Sequence, residues 1–264
     1  PLVLFAVITL ALLSVIIASF ILVIRSVQTQ KGLAKRLVDF INNMTHEFKT
    51  PLSTIAIAGN SIADSTVAID KDRLHKYGNI IQDETARMRR QVEKILDMAA
   101  LERGDFDLNY EKADIHVLID EAVDHFALSA EKHNAKITKD LAAINRVNLV
   151  DTMHLVNCLH NLLDNAIKYS KSNPLIHVFT KNVDHHIQIS VKDHGIGLRS
   201  EEIKHVFEKY YRVPTGNVHN VKGLGLGLSY VKFIAEAHGG YVEVESEINE
   251  YSIFSIFLPL HTDE

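Results

Sequence analysis

The opening of the chain constrains it most. Leu2 to Ile24 contains no charged side chain, and its only polar ones are Thr9, Ser14 and Ser19. As a helix rising 1.5 Å per residue, this stretch is long enough to cross the roughly 30 Å hydrocarbon core of a bilayer with some tilt. A secretory signal would instead place basic residues ahead of a shorter apolar run and small residues at a cleavage point after it. Here Arg25, Lys31, Lys35 and Arg36 follow the run. Basic residues on that side favour a transmembrane helix over residues 2–24 whose C-terminal end lies in the cytoplasm. The sequence starts at Pro1 without a methionine, so further chain upstream is expected.

Charge divides the remainder. Residues 1–104 carry 13 Lys/Arg against 10 Asp/Glu, whereas residues 105–264 carry 15 against 23. An acidic C-terminal part argues against a nucleic-acid surface, which needs a basic excess. The single cysteine, Cys158, rules out an internal disulfide, and its apolar neighbours predict a packed thiol.

Hydrophobic periodicity marks the next region. Leu33, Leu37, Phe40, Ile41, Met44, Phe48 and Leu52 recur at three- and four-residue steps, the stripe of an amphipathic helix. Leu74, Tyr77, Ile81, Met88, Val92, Ile95 and Ala99 repeat the pattern, with a polar connection from Ala63 to Asp72 between the two. Two such helices cannot enclose a core. Residues 25–104 therefore read as a juxtamembrane segment and a hairpin that pairs with a second copy into a dimeric four-helix bundle. The alternative is a monomeric hairpin packed on the rest of the chain.

After Gly104 and Asp105 the pattern changes. Helices are expected at about 116–133, 153–169 and 226–237, and strands at about 135–140, 145–150, 176–182, 187–192, 241–247 and 251–258, with a turn near Asp184. Strands and helices in this order predict an α+β sandwich over residues 105–264 rather than a doubly wound sheet.

The residues suited to chemistry fall in five strings. In Thr45-His-Glu-Phe-Lys-Thr-Pro-Leu52, His46 lies two residues from the stripe positions Met44 and Phe48 and so faces away from them, toward solvent. An exposed imidazole beside a carboxylate can act as a nucleophile, because the carboxylate can orient the ring and accept its proton. Pro51 removes a backbone donor and is expected to bend this helix. In His160-Asn-Leu-Leu-Asp-Asn-Ala-Ile-Lys-Tyr169, Asn161, Asn165 and Lys168 share one helical ridge. Two neutral oxygen ligands and a cation in line suit Mg²⁺ bound to a triphosphate. Asp193-His-Gly-Ile-Gly-Leu198 follows a predicted strand; its glycines would let a ligand come close to the backbone, and its carboxylate could accept from an exocyclic amine. Gly223-Leu-Gly-Leu-Gly-Leu-Ser229 opens a helix, whose N-terminal N–H groups attract anions. Val206-Phe-Glu-Lys-Tyr-Tyr-Arg212 stands between the last two.

Taken in order, these strings resemble the phosphoacceptor, asparagine, first glycine, phenylalanine and second glycine boxes of sensor histidine kinases. The resemblance covers about residues 28–260. It implies an ATP-binding domain of the Bergerat type, with His46 as the phosphorylated residue, Glu47 as its proton acceptor and Thr50 positioning water when the enzyme acts as a phosphatase. It further implies that Asn161 and Asn165 hold Mg²⁺, that Lys168 meets the phosphates and that Tyr169 flanks the nucleotide. Asp193 would read the adenine amino group, with Gly195 and Gly197 beside it. Phe207 would anchor a lid over Val213–Lys222, Tyr211 and Arg212 would reach the nucleotide, and Gly223, Gly225, Leu226, Gly227 and Leu228 would border the phosphates. His194 stands where asparagine is commoner, and Leu224 where threonine is common, so a hydroxyl contact from the lid to phosphate is not expected at Leu224. ATP and Mg²⁺ are the implied cofactors. The implied partners are a second copy of the chain, the receiver domain of a response regulator, and the inner membrane, with the kinase region in the cytoplasm.

Related ATP hydrolases carry a water-activating glutamate four residues before the Mg²⁺ asparagine. Here that position is Asn161, which cannot serve as a base, so attack by water is disfavoured. A binding-only scaffold is disfavoured too, because no acceptor, Mg²⁺ or adenine position is missing. The 15 histidines show no zinc-site spacing and are expected at the surface, His185 and His186 on a turn. The short span from Ile24 to His46 leaves no room for a helical relay module, so the membrane helix is expected to couple directly to the bundle.

Overall fold

A computed structural model of the protein describes residues 2–63, 70–103, 107–170, 173–213 and 224–260. Most of the helix–helix connection, the Gly104–Asp105 break, Gly223 and all of the expected lid beyond Val213 lie outside the described residues. The chain forms two compact units, residues 1–46 and 47–264.

Helix α1 (Leu2–Ala63) supplies the first unit and the beginning of the second. Its apolar N-terminal part exposes Leu2, Phe5, Ile16 and Phe20. Among the described residues it is the one helix long and apolar enough to cross a membrane. Pro51 does not interrupt it. A proline costs the ladder one hydrogen bond and crowds the preceding turn, but the flanking turns keep their own bonds.

In the second unit, α2 (Lys71–Arg103) starts at Asp70, whose carboxylate accepts the Arg73 N–H at 2.7 Å. That bond satisfies one of the donors a helix N-terminus leaves free. Ala58 and Met98 are buried, whereas Leu52, Leu74, Val92 and Leu96 keep much of their surface exposed.

The mixed region contains β1 (Glu111–Asp114), α3 (Ile115–Lys132), β2 (Lys136–Leu141), β3 (Val147–Val150), α4 (Thr152–Tyr169), β4 (Leu175–Val183), β5 (His186–Asp193), α5 (Ser200–Ile203), α6 (Gly227–Ala237), β6 (Tyr241–Glu247) and β7 (Tyr251–Pro259). Five strands form one sheet in the order β2-β4-β5-β7-β6, with β2 and β4 parallel and the other neighbours antiparallel. β1 pairs with β3 in a separate antiparallel ladder.

Alternation along the strands builds the core. Val178, Val191 and Phe254 stand opposite one another across β4, β5 and β7, as do Ile189 and Ile256, and Ile187 and Leu258. This face meets α3, α4 and α6 through Ile119, Leu159, Leu163 and Ile234, all essentially inaccessible to solvent. The result is one layer of helices on one sheet, the expected α+β sandwich. Cys158 is buried on α4, and burial raises its thiol pKa well above the ordinary value. Leu162 is 1% exposed. Truncation to Leu162→Ala is expected to cost about 2–5 kcal/mol of stability, measurable by chemical denaturation.

Two parts of this architecture were not anticipated. β1 is four residues long and α5 a single turn, too short for periodicity to register. Three histidines also depart from the expected surface location: His116, His154 and His238 are buried. His238 Nε2 accepts the Asp151 N–H at 2.9 Å, which leaves Nδ1 to donate to the Ile234 carbonyl at 2.7 Å. It therefore sits as the neutral Nδ1–H tautomer and ties the end of α6 to the start of α4. Asp151 in turn caps α4 by accepting the His154 N–H at 3.0 Å.

Candidate functional site

The site begins with α4. Its apolar residues face the sheet, so the opposite ridge carries Asn161, Asn165 and Lys168, which line a cavity of about 430 Å³ together with Asp164 and Tyr169. The Asn161 amide donates to the Asn157 carbonyl at 2.9 Å, which directs its oxygen outward. The Lys168 ammonium pairs with Asp164 one turn away. Burial raises the Tyr169 phenol above its usual range, while Arg212 acts in the opposite sense.

At its C-terminus α4 is fastened to the segment after β5. The Ile196 N–H donates to the Tyr169 carbonyl at 3.1 Å, and Ser170 bridges Gly195. A Cβ on Gly195 would lie 2.4 Å from the Tyr169 oxygen, and one on Gly197 (φ +62°) 2.1 Å from the Glu247 oxygen. Both glycines therefore make room for the chain's own backbone, a different reason from the close ligand approach expected of them. Gly197 lines the cavity and Gly195 does not.

Asp193 ends β5 and is only 3% exposed. The Gly195 N–H favours its charged form, yet Oδ1 is buried without a hydrogen-bond partner among the described residues. Burial raises the carboxyl to about 7, and the Gly195 N–H only partly offsets this. An unmatched buried acceptor in the wall of a cavity is costly unless a ligand supplies the donor.

Val206, Tyr211, Arg212 and Val213 form another wall, and Leu224, Gly225, Leu226, Gly227 and Leu228 complete it at the start of α6. Gly225 has φ +72°, and its carbonyl accepts the Tyr210 N–H at 3.2 Å, joining the two segments. Gly227 opens α6 so close to Asn161 that a Cβ there would lie 3.1 Å from the amide oxygen. Phe207 was expected to anchor the lid, which beyond Val213 lies outside the described residues. Its ring packs edge-on against Phe254 at 6.1 Å and does not line the cavity. Phe254 and Val206 present the apolar surface instead.

Sequence reasoning missed a whole side of this cavity. Arg87, Arg90, Gln91 and Lys94 of α2 line it, as does Glu47. Arg87 Nη2 lies 3.6 Å from Glu47 Oε2, and Gln91 Nε2 donates to the same oxygen at 3.4 Å. The 87, 90, 91, 94 spacing is one helical face, but nothing local says what that face meets. His46 and Thr50 are exposed on α1, as their spacing predicts. Among the described residues no group of three or more His, Cys, Asp or Glu side chains is arranged to hold a metal ion.

A buried acceptor at one end, cations at the other and a helix N-terminus alongside define a site for an anionic ligand that also carries a hydrogen-bond donor. Residues 150–262 match the family described as histidine kinase-, DNA gyrase B- and HSP90-like ATPases. Residues 36–104 match the His Kinase A (phospho-acceptor) domain. Sensor protein RprX of Bacteroides fragilis is 45% identical over 248 residues, 93% of this chain and 48% of that protein. Sensor protein SrrB of Staphylococcus aureus is 29% identical over 239 residues, 90% of this chain and 41% of that protein. The chain thus spans about half the length of the curated relatives it matches. Among solved structures, histidine kinase AdeS of Acinetobacter baumannii superposes with a TM-score of 0.61 at 21% identity, covering 82% of this chain and 98% of that one. ShkA in complex with AMPPNP gives 0.64 at 19%, covering 84% and 46%. ThkA in complex with the response regulator TrrA gives 0.59 at 22%, covering 83% and 60%. At these identities the structures speak to the fold. The chain belongs to the sensor histidine kinases of two-component systems.

Proposed function

We propose that this chain transfers the γ-phosphoryl group of ATP to His46 and then to an aspartate of a response regulator. The observation that carries the reading is the buried, unmatched Asp193 oxygen in a cavity whose other walls carry cations. The exocyclic amine of adenine supplies the donor that this oxygen lacks. The phosphates then run along the α4 ridge toward the first turn of α6, whose N–H groups favour negative charge. Asn161 and Asn165 offer amide oxygens to Mg²⁺, and Lys168 offers an ammonium to the phosphates. The metal, when bound, would neutralise charge on the transferring group. Tyr169, Tyr211 and Arg212 flank the nucleotide.

In the transfer, a nitrogen of the His46 imidazole forms the new N–P bond while the bond from phosphorus to the leaving ADP oxygen breaks. The ring proton that this displaces passes to the Glu47 carboxylate. Arg87 and Gln91 hold that carboxylate from α2. In the second step an aspartate oxygen of the regulator takes the phosphoryl group from His46. A complex of ThkA with a response regulator is in keeping with such a partner. Incubation with γ-labelled ATP tests the first step directly: label is expected on the chain in an acid-labile, alkali-stable linkage.

The exposed leucines and isoleucines of α1 and α2, among them Leu33, Leu37, Ile41, Leu52 and Leu96, support a homodimer. The apolar start of α1 and the basic residues after it support an inner-membrane anchor with the kinase on the cytoplasmic side.

Thr50 separates two activities. It lies one helical turn beyond His46 on the exposed side of α1. Phosphorylation of His46 does not need a hydroxyl there, but dephosphorylation of the regulator needs a water held in line. Thr50→Ala is expected to keep most autophosphorylation and lose most phosphatase activity, with Thr50→Ser retaining more of it. Both rates measured on one preparation decide the matter, and a parallel fall would remove the water-positioning role.

A further inference from the structure

Five cations line the cavity, and the four on α2 and α4 are not equally provided for. Lys168 is paired with Asp164, and Arg87 lies near Glu47 and Glu84. Arg90 and Lys94 have no carboxylate within ion-pair distance among the described residues. Both belong to α2, four residues apart, and both line the cavity. Lys94 Nζ lies 3.5 Å from Asn161 Oδ1, within the asparagine ridge itself. Its surroundings disfavour its charge: burial lowers its pKa, and Lys168 and Arg90 act in the same direction against Asp164.

Like charges gathered in a partly enclosed space repel one another, and the repulsion is relieved only by a counter-charge. On a solvated helix face, long cationic side chains would spread apart. Here they converge with the α4 ridge and the start of α6 on one volume. That volume suits a polyanion rather than a single carboxylate, since two unpaired cations and the helix N-terminus border it together.

On the reading that the cavity holds ATP, we propose that Arg90 and Lys94 form a second, hairpin-borne clamp on the distal phosphates. The nucleotide would then be held between α2 and α4, with the adenine end read by the sandwich alone and the phosphate end by both. The clamp makes affinity depend on phosphate number. It also makes binding of a triphosphate hold α2 against the catalytic sandwich, which adenosine cannot do.

Calorimetric titration of the whole chain with ATP, ADP and adenosine tests this, with Mg²⁺ present throughout. Lys94→Gln and Arg90→Gln are each expected to weaken ATP about five- to tenfold, the effect of one lost charge-assisted contact at a partly solvated site. ADP should weaken less, and adenosine should stay within about twofold of the wild type, while Lys94→Arg should restore most of the ATP affinity. Unchanged ATP affinity in the Lys94→Gln, Arg90→Gln double variant would overturn the clamp, with wild-type ATP binding still upholding the nucleotide site. A parallel loss of ATP and adenosine would overturn it as well, since a merely structural change would act on both. If the wild-type chain binds neither ligand, the nucleotide reading fails and takes the clamp with it.

Discussion

Replacement of His46 by glutamine is expected to abolish labelling by γ-labelled ATP while leaving ATP affinity at its wild-type level. The glutamine amide keeps polarity and approximate size but has no nucleophilic nitrogen, because its lone pair is delocalised into the carbonyl. The nucleotide cavity is lined by residues 47 and beyond and does not include position 46, so binding should survive. The same variant distinguishes the kinase from a related ATP hydrolase. A hydrolase would turn over ATP at an unchanged steady rate without His46, whereas a kinase whose acceptor is gone should lose nearly all product. Asn161 occupies the position at which the hydrolases have their base, which favours the second outcome. Label retained on His46→Gln protein would move the acceptor elsewhere.

The second large effect is expected at Asp193, with opposite signs for binding and stability. Asp193→Asn keeps the shape, but the amide replaces one of the two carboxylate acceptors with a donor that can face the adenine amine. Two donors facing each other in a buried site, with an acceptor lost, should cost about 1–3 kcal/mol, or roughly ten- to a hundredfold in ATP affinity. Without nucleotide the same change should help. Burial raises the native carboxyl to about 7, so the folded state retains a proton that the unfolded chain gives up near the ordinary value of 3.8. The stability this lends is fully present below that value and is lost as pH rises through about 7. By then the buried anion is penalised on the order of 4 kcal/mol. A neutral amide removes that slope. Nucleotide-free Asp193→Asn protein should therefore be the more stable of the two above neutrality and gain less from added ATP. Thermal melts at several pH values, with and without ATP, check both halves; equal ATP affinity in the two proteins would take Asp193 out of the adenine site.

Local signals carried much of this site. Asn161, Asn165 and Lys168 were legible because helical spacing alone puts them on one ridge, opposite the apolar face that buries Leu155, Leu159 and Leu162. Asp193 was legible because an acidic residue follows an alternating strand and leads into glycines. The sandwich followed from strand and helix periods, with β2, β4, β5, β6 and β7 each within a few residues of the expected range. The rest depends on contacts far apart in the sequence. Nothing near Lys94 announces Asn161, 67 residues away. Nothing near Gly197 announces the Glu247 carbonyl that excludes a side chain there. Nothing near Phe254, which register places across from Val191, announces that it lines the cavity.

The stitch between Tyr169 and Ile196 makes a fixed caliper of the catalytic sandwich. One jaw is the α4 ridge that carries Asn161 and Asn165, and the other is the Asp193 carboxylate at the end of β5. Because the Ser170–Gly195 bridge and the Ile196 N–H join the two jaws at the backbone, the backbone positions that carry them are held at a set separation. On the reading that the cavity holds ATP, such a gauge would select a ligand by its length from amine to phosphate. A base one ring larger, or a sugar–phosphate link one atom longer, would satisfy one jaw and miss the other.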